Sequence, residues 1–148
     1  KNKFMKLFTL LFLTIFFGKG CDTVTAQDME TVVLEYTANT RGFYQKITIK
    51  NQMLTVSKDR NNKDKAISTK ISDADWKELV SYFKDVKLET LKDLKAPTEK
   101  RFYDGAAIAN LKITYKDKSY ETTSFDHGFP PKEIKKLVDK INSFSKKE

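Results

Sequence analysis

Twice in this chain, large apolar residues fill every second position, and each such stretch is followed by one where they recur at intervals of three and four. A period of two separates the faces of a strand, whereas a period near 3.6 lines one face of a helix. In "GFYQKITIK-NQ-MLTVSK", Ile47 and Ile49 share a face, as do Leu54 and Val56 beyond the polar centre Asn51-Gln52, which predicts a β-hairpin. "TVVLEY" ahead of it and "AISTK" behind it read as further strands, with the charged "DRNNKDK" (59–65) as a loop. "SDADWKELVSYFKDV" is the clearest helix: Ser72 and Asp75 form a capping start, and Trp76, Leu79, Val80 and Phe83 make its buried face. "KLETLKDLKAPTEK" is a linker pinned by Leu88, Leu91 and Leu94 and broken at Pro97.

The second unit repeats the pattern. Ala109, Leu111, Ile113 and Tyr115 alternate up to a turn near Asp117-Lys118, and Ile134, Leu137, Val138 and Ile141 mark a second helix. "ITIKNQMLTV" (47–56) aligns without a gap to "ITYKDKSYET" (113–122), so either a duplicated ββα unit or two independent hairpins explain the sequence. Both give an α+β fold, an antiparallel sheet of about four to six strands with two hairpins and two α-helices packed on one face. A chain of this length buries roughly two-thirds of its unfolded surface. It needs no disulfide, and its single cysteine allows none within the chain.

The N-terminus speaks to destination. Lys1, Lys3 and Lys6 precede an apolar run from Leu7 to Phe17, too short to span a membrane, and the pattern is that of a signal peptide over residues 1–20. Cys21 follows Gly20 where an exported lipoprotein carries its acylated cysteine, although Gly18 and Lys19 depart from the usual lipobox. The rival is cleavage after Ala26, which leaves Gln27 first and a soluble periplasmic or secreted protein. The lipoprotein is preferred because acylation consumes the lone thiol at the position where lipid attaches. Residues 21–30 then form a polar tether and 31–146 a single domain.

Charge limits the partners. The chain has 28 basic and 20 acidic residues; removing residues 1–20, with four lysines and no acid, leaves a net charge of +4. The basic residues are scattered among acids, unlike a phosphate-tracking stripe, which argues against nucleic acid.

The only histidine sits in "SFDHGFPP". One histidine and one cysteine exclude the usual zinc ligand sets, and no G-x-S-x-G elbow is present. Neighbours on an extended chain point apart, so Asp126 and His127 are not expected to pair with each other. Gly128, Pro130 and Pro131 suit a strand-to-helix turn. Only three arginines occur, and two precede aromatic pairs: Arg41 before Phe43 and Tyr44, and Arg101 before Phe102 and Tyr103. Arginine stacks on rings and grips carboxylates as lysine does not. Arg41, Phe43, Tyr44, Arg101, Tyr103, Asp104, Asp126 and His127 are therefore the candidate binding residues, each beside a predicted strand end. A structural ion-pair cluster that fixes loops would use the same residues.

"TRGFY", the tryptophan opening the first helix, "APTEKRFYDGAA" and "FDHGFPP" resemble a group of small exported proteins, often lipoproteins, of Bacteroidetes-type bacteria. That resemblance implies no activity. The order of elements, with "GF" by the first hairpin and "DG" before the second, is similar to emfourin-type inhibitors of metalloproteases, although Arg41-Gly42 stands where a double glycine would be expected. The expectation is a lipid-anchored binding module of the cell envelope, not an enzyme and without cofactor or metal. Its partner would be an envelope protein, a peptide or a small ligand, and it would meet the membrane only through Cys21. The alternatives are a protease inhibitor and a small hydrolase using Asp104, Asp126 and His127.

Overall fold

Alternation along Val33–Thr40 (β1), with Leu34, Tyr36 and Ala38 buried, sets up the sheet. The computed structural model describes residues 28–146; the expected signal peptide, Cys21 and the Ala26 cleavage site lie outside them. The folded part extends three residues beyond the expected boundary at 31. Asp28–Glu30 form a 3-10 turn whose Met29 is buried in the core. A lone methionine among polar residues has no periodicity to betray it.

β1 is the central strand. Phe43–Lys50 (β2) pairs with it on one side and Ile108–Tyr115 (β5) on the other, both antiparallel. Met53–Ser57 (β3) and Ile67–Lys70 (β4) extend the sheet beyond β2, giving the order β4-β3-β2-β1-β5. Lys118–Glu121 (β6) and Phe125–Asp126 (β7) both pair with β5. The seven strands exceed the expectation because the last two are one edge strand interrupted at 122–124. There Thr122 Oγ1 accepts the Leu111 N–H and breaks the regular ladder.

The two hairpins are not copies. Asn51 and Gln52, both at positive φ, turn the first; Lys116 and Asp117 turn the second, one residue earlier than the sequence alignment places it. The β2–β3 hairpin turns away from β1 on one side and β5–β6 on the other. Residues flanking the first loop, Lys50 and Met53, are exposed, whereas Tyr115 flanking the second is buried. A one-residue shift exchanges the faces of a strand, which lets hairpins of opposite turning direction share one core face.

Ser72 caps Asp73–Lys84 (α1), accepting the Asp75 N–H at 3.2 Å. Instead of reaching back to the backbone, the Asp75 carboxylate accepts from the Ser72 hydroxyl at 3.0 Å. Leu79, Val80 and Phe83 are buried and Trp76 half-buried, and burying each of the three is worth roughly 1.5–3 kcal/mol. The linker forms a 3-10 segment, Leu88–Asp93, with Leu91 and Leu94 buried. Pro131 precedes a 3-10 turn, Lys132–Ile134, that leads into Lys135–Phe144 (α2). Lys140 of α2 joins Asp75 and Glu78 of α1, each at 2.7 Å. The opposite sheet face is polar, with Glu35 between Lys46 and Lys112. Among the described residues no helix is long and apolar enough to cross a membrane.

Candidate functional site

Arg41, Phe43, Asp126 and His127 lie at the end of the sheet where β1 finishes. There Thr40 pairs with Phe43, Asn39 with Ile108, and Ile108 with Asp126. The chain then turns sharply through Gly128, at φ +92°. The His127 N–H bonds to the Ala107 carbonyl, and the Phe129 N–H returns to the Asp126 carbonyl. This is the expected strand-to-helix turn, with Pro130 and Pro131 both buried.

Asp126 and His127 face different partners. Asp126 has no exposed surface. Its Oδ2 accepts from Thr98 Oγ1 at 2.6 Å and Lys100 N at 2.7 Å; its Oδ1 accepts from Arg101 N at 3.0 Å and Arg101 Nη1 at 3.1 Å. Burial pushes this acid's pKa up, but the Thr98 hydroxyl, the Arg101 guanidinium and the two backbone N–H groups outweigh burial and hold it at about 2. Both oxygens are fully engaged, so Asp126 is a fixed anion with no acceptor left for a ligand.

Arg101 is equally committed. It also bonds the Thr98 carbonyl and Ser124 Oγ, and its guanidinium lies 4.3 Å over the Phe102 ring. Asp126 therefore reaches Arg101, and the pair ties the 3-10 turn Lys100–Tyr103 to β7. That turn presents Phe102 and Tyr103, 70% and 71% exposed, to solvent.

His127 looks the other way. Its Nδ1 lies 2.8 Å from the hydroxyl of buried Tyr36, and its ring is 5.5 Å from that of Phe43. Burial pushes the Tyr36 phenol up to about 12, so it stays protonated. The tautomer of His127 sets which of the two groups donates in this bond. Burial, followed by the Lys146 charge, lowers the His127 pKa and favours the neutral ring.

Phe43, Gln45, His127, Pro130 and Asn142 line a groove of about 670 Å³ between the start of β2 and the end of α2. Gln45 Nε2 donates to Asn142 Oδ1 across it at 3.2 Å. The candidate set thus divides three ways. Phe43 and His127 line the groove, while Arg101 and Asp126 build the loop beneath the aromatic turn. The others stay outside: Arg41 is exposed at the β1–β2 turn, and Tyr44 pairs with Asn39 on the polar sheet face. Tyr103 and Asp104 are exposed on the aromatic turn, Asp104 at φ +58°. Sequence reasoning missed Tyr36, Thr98, Ser124, Gln45 and Asn142. Tyr36 alone carried a signal, because alternation buries it and a buried phenol needs a hydrogen-bond partner. No group of three or more metal-ligating side chains occurs among the described residues.

Comparison with known proteins gives no match: no protein-family model fits the sequence, and no curated protein or solved structure is significantly similar. Fold and site together define a small α+β domain whose central strand ends beside an aromatic groove.

Proposed function

We propose that the chain is an exported binding module of the bacterial cell envelope, lipid-anchored through Cys21, that holds its ligand in the groove between β2 and α2. The observation that carries this reading is the groove itself. Exposed Phe43 stacks near a half-buried histidine whose position is fixed by a buried phenol, with the amides of Gln45 and Asn142 beside them. An apolar floor with a few oriented polar groups is the usual composition of a ligand site. The hydrolase alternative loses support because Asp126, ionised and saturated, has no role open to it as acid or base.

Affinity capture from an envelope extract tests the groove. Wild type is expected to retain a partner that Phe43→Ala and Asn142→Ala release, with circular dichroism unchanged; equal capture by all three proteins counts against the site. Export is tested by mass spectrometry of the mature protein, where a diacylglyceryl Cys21 is expected and a free Gln27 terminus would end the lipoprotein reading.

The aromatic turn supports protease inhibition as a second reading, because an inhibitor inserts a protruding segment into a cleft. Inhibition of a thermolysin-like protease that Phe102→Ala abolishes would favour it.

A further inference from the structure

Besides the aromatic and aliphatic core, three polar residues are buried among the described residues: Gln45, Thr122 and Asp126. Two of them complete the fold. Thr122 accepts the Leu111 N–H inside the sheet, and Asp126 closes the loop hub with both oxygens engaged. Gln45 is the exception. It is 6% exposed and follows Phe43 by two positions, so both lie on the face of β2 that carries Ile47 and Ile49. Asn142 Nδ2 donates to the Val138 carbonyl at 3.1 Å, which turns Asn142 Oδ1 toward Gln45 and makes Gln45 Nε2 its donor. That chain leaves Gln45 Oε1 an oriented acceptor with no partner among the described residues, on a side chain that lines the groove. A buried acceptor without a donor costs the fold free energy that a ligand can return.

We infer that the groove takes a neutral sugar, a pyranose unit whose hydroxyl donates to Gln45 while the C–H face of its ring lies on Phe43. The inference rests on the groove being the binding site and names the class of its occupant. Hydrogen bonding selects a donor. An ionised carboxylate accepts only, so it has no hydrogen to give Gln45 Oε1. Asp139, also on the groove wall, adds a second acceptor: Lys135 holds its Oδ2, and its Oδ1 accepts nothing among the described residues. A ligand rich in hydroxyls satisfies both.

The ring face points the same way. Phe43 is 39% exposed, with its ring 5.5 Å from that of His127 and tilted by 35°. The C–H bonds of a pyranose carry slight positive charge and settle on the negative face of an aromatic ring. Tyr36 fixes the imidazole through Nδ1 in either tautomer, so the wall beside Phe43 is in place before a ligand arrives. A peptide fits less well. β2 pairs with β1 throughout and with β3 from Lys46 onward, which leaves only Phe43 to Gln45 with no strand beside them. That is a short row of backbone groups for an extended segment whose affinity comes from main-chain bonds. The groove, at about 670 Å³, has room for a short oligosaccharide.

The probes are cellotriose, mannotriose and N,N′-diacetylchitobiose, with a blocked neutral tetrapeptide of alternating alanine and phenylalanine for comparison. Sugars held by few contacts bind weakly, so each is titrated to about 20 mM against the full chain in a sugar-free zwitterionic detergent. Backbone and side-chain amide chemical shifts give the affinity and the place. At least one saccharide is expected to shift Phe43, Asn142 and the Gln45 side-chain amide. Gln45→Met, similar in shape but without the acceptor, should weaken that saccharide at least about tenfold. Phe43→Trp should keep binding, whereas Phe43→Leu, apolar but without a ring face, should lose at least about tenfold. Melting temperature checks each variant, and the exposed Phe43 pair reads binding even where Gln45→Met fails to fold. Equal binding by the Leu and Trp variants would overturn recognition of a sugar face. Groove shifts from the tetrapeptide with none from the saccharides would overturn the sugar and leave the groove reading standing. No groove shifts from any probe would also overturn the sugar, and envelope capture by wild type against Phe43→Ala would then decide the groove reading by itself.

Discussion

Asp126 and His127 are neighbours in the chain with opposite electrostatic assignments. Asp126→Asn leaves the Arg101 guanidinium, whose side chain is 8% exposed, buried without its anion. Breaking a buried pair by removing one partner costs about 3–5 kcal/mol, so this variant is expected to melt far below wild type in urea or heat. Acid should act on the two residues in separate ranges. The folded His127 pKa lies below its unfolded 6.5, so its contribution is present above that pH and fades as pH falls below it. Asp126, at about 2 folded against 3.8 unfolded, contributes fully above 3.8 and loses that contribution as pH drops toward 2. Melting temperature is therefore expected to fall in two steps on acidification. His127→Gln should remove the upper step and leave the lower; an unaltered profile would refute the assignment. Tyr115 offers the converse case. Its buried hydroxyl lacks a partner, so Tyr115→Phe should stabilise by about 1 kcal/mol in chemical denaturation.

Elements were legible where a side-chain period reaches into the core. Ile47 and Ile49 announced β2, and Leu137, Val138 and Ile141 announced α2, because burial on one face forces a period. The loop of the second hairpin was placed one residue late. "KDK" is polar throughout and offers no apolar landmark, so only Tyr115 and Tyr120 facing the core fix the register. At the site, the arginine-aromatic pattern leads to Arg101 with Asp126 and to Phe43 near His127, while Arg41, Tyr44, Tyr103 and Asp104 lie apart from both pairs. Which carboxylate meets which arginine depends on Thr98, Lys100 and Asp126 meeting across the fold, and no local pattern encodes that. Between the helices, Lys140 bridges Asp75 and Glu78. Lys140→Ala is expected to cost about 1 kcal/mol at low salt and less at high salt, as read from urea midpoints in the two buffers.

Across the whole molecule, the groove lies at one end of the sheet and the entry into β1 at the other, so changes at the two ends should add. Phe43→Ala is expected to abolish ligand capture with little change in stability, since Phe43 is already 39% exposed. Leu34→Ala, fully buried on the central strand, should cost about 2–5 kcal/mol in urea unfolding and spare the groove. The place of β1 between β2 and β5 has a consequence in time. Leu34 must find both Ile49 nearby and Ile113 late in the chain, and until that distant pairing forms one edge of β1 is open. Contacts so far apart in sequence are slow to close. A nascent chain of this topology keeps one edge of its central strand open until Ile108–Tyr115 has emerged from the ribosome.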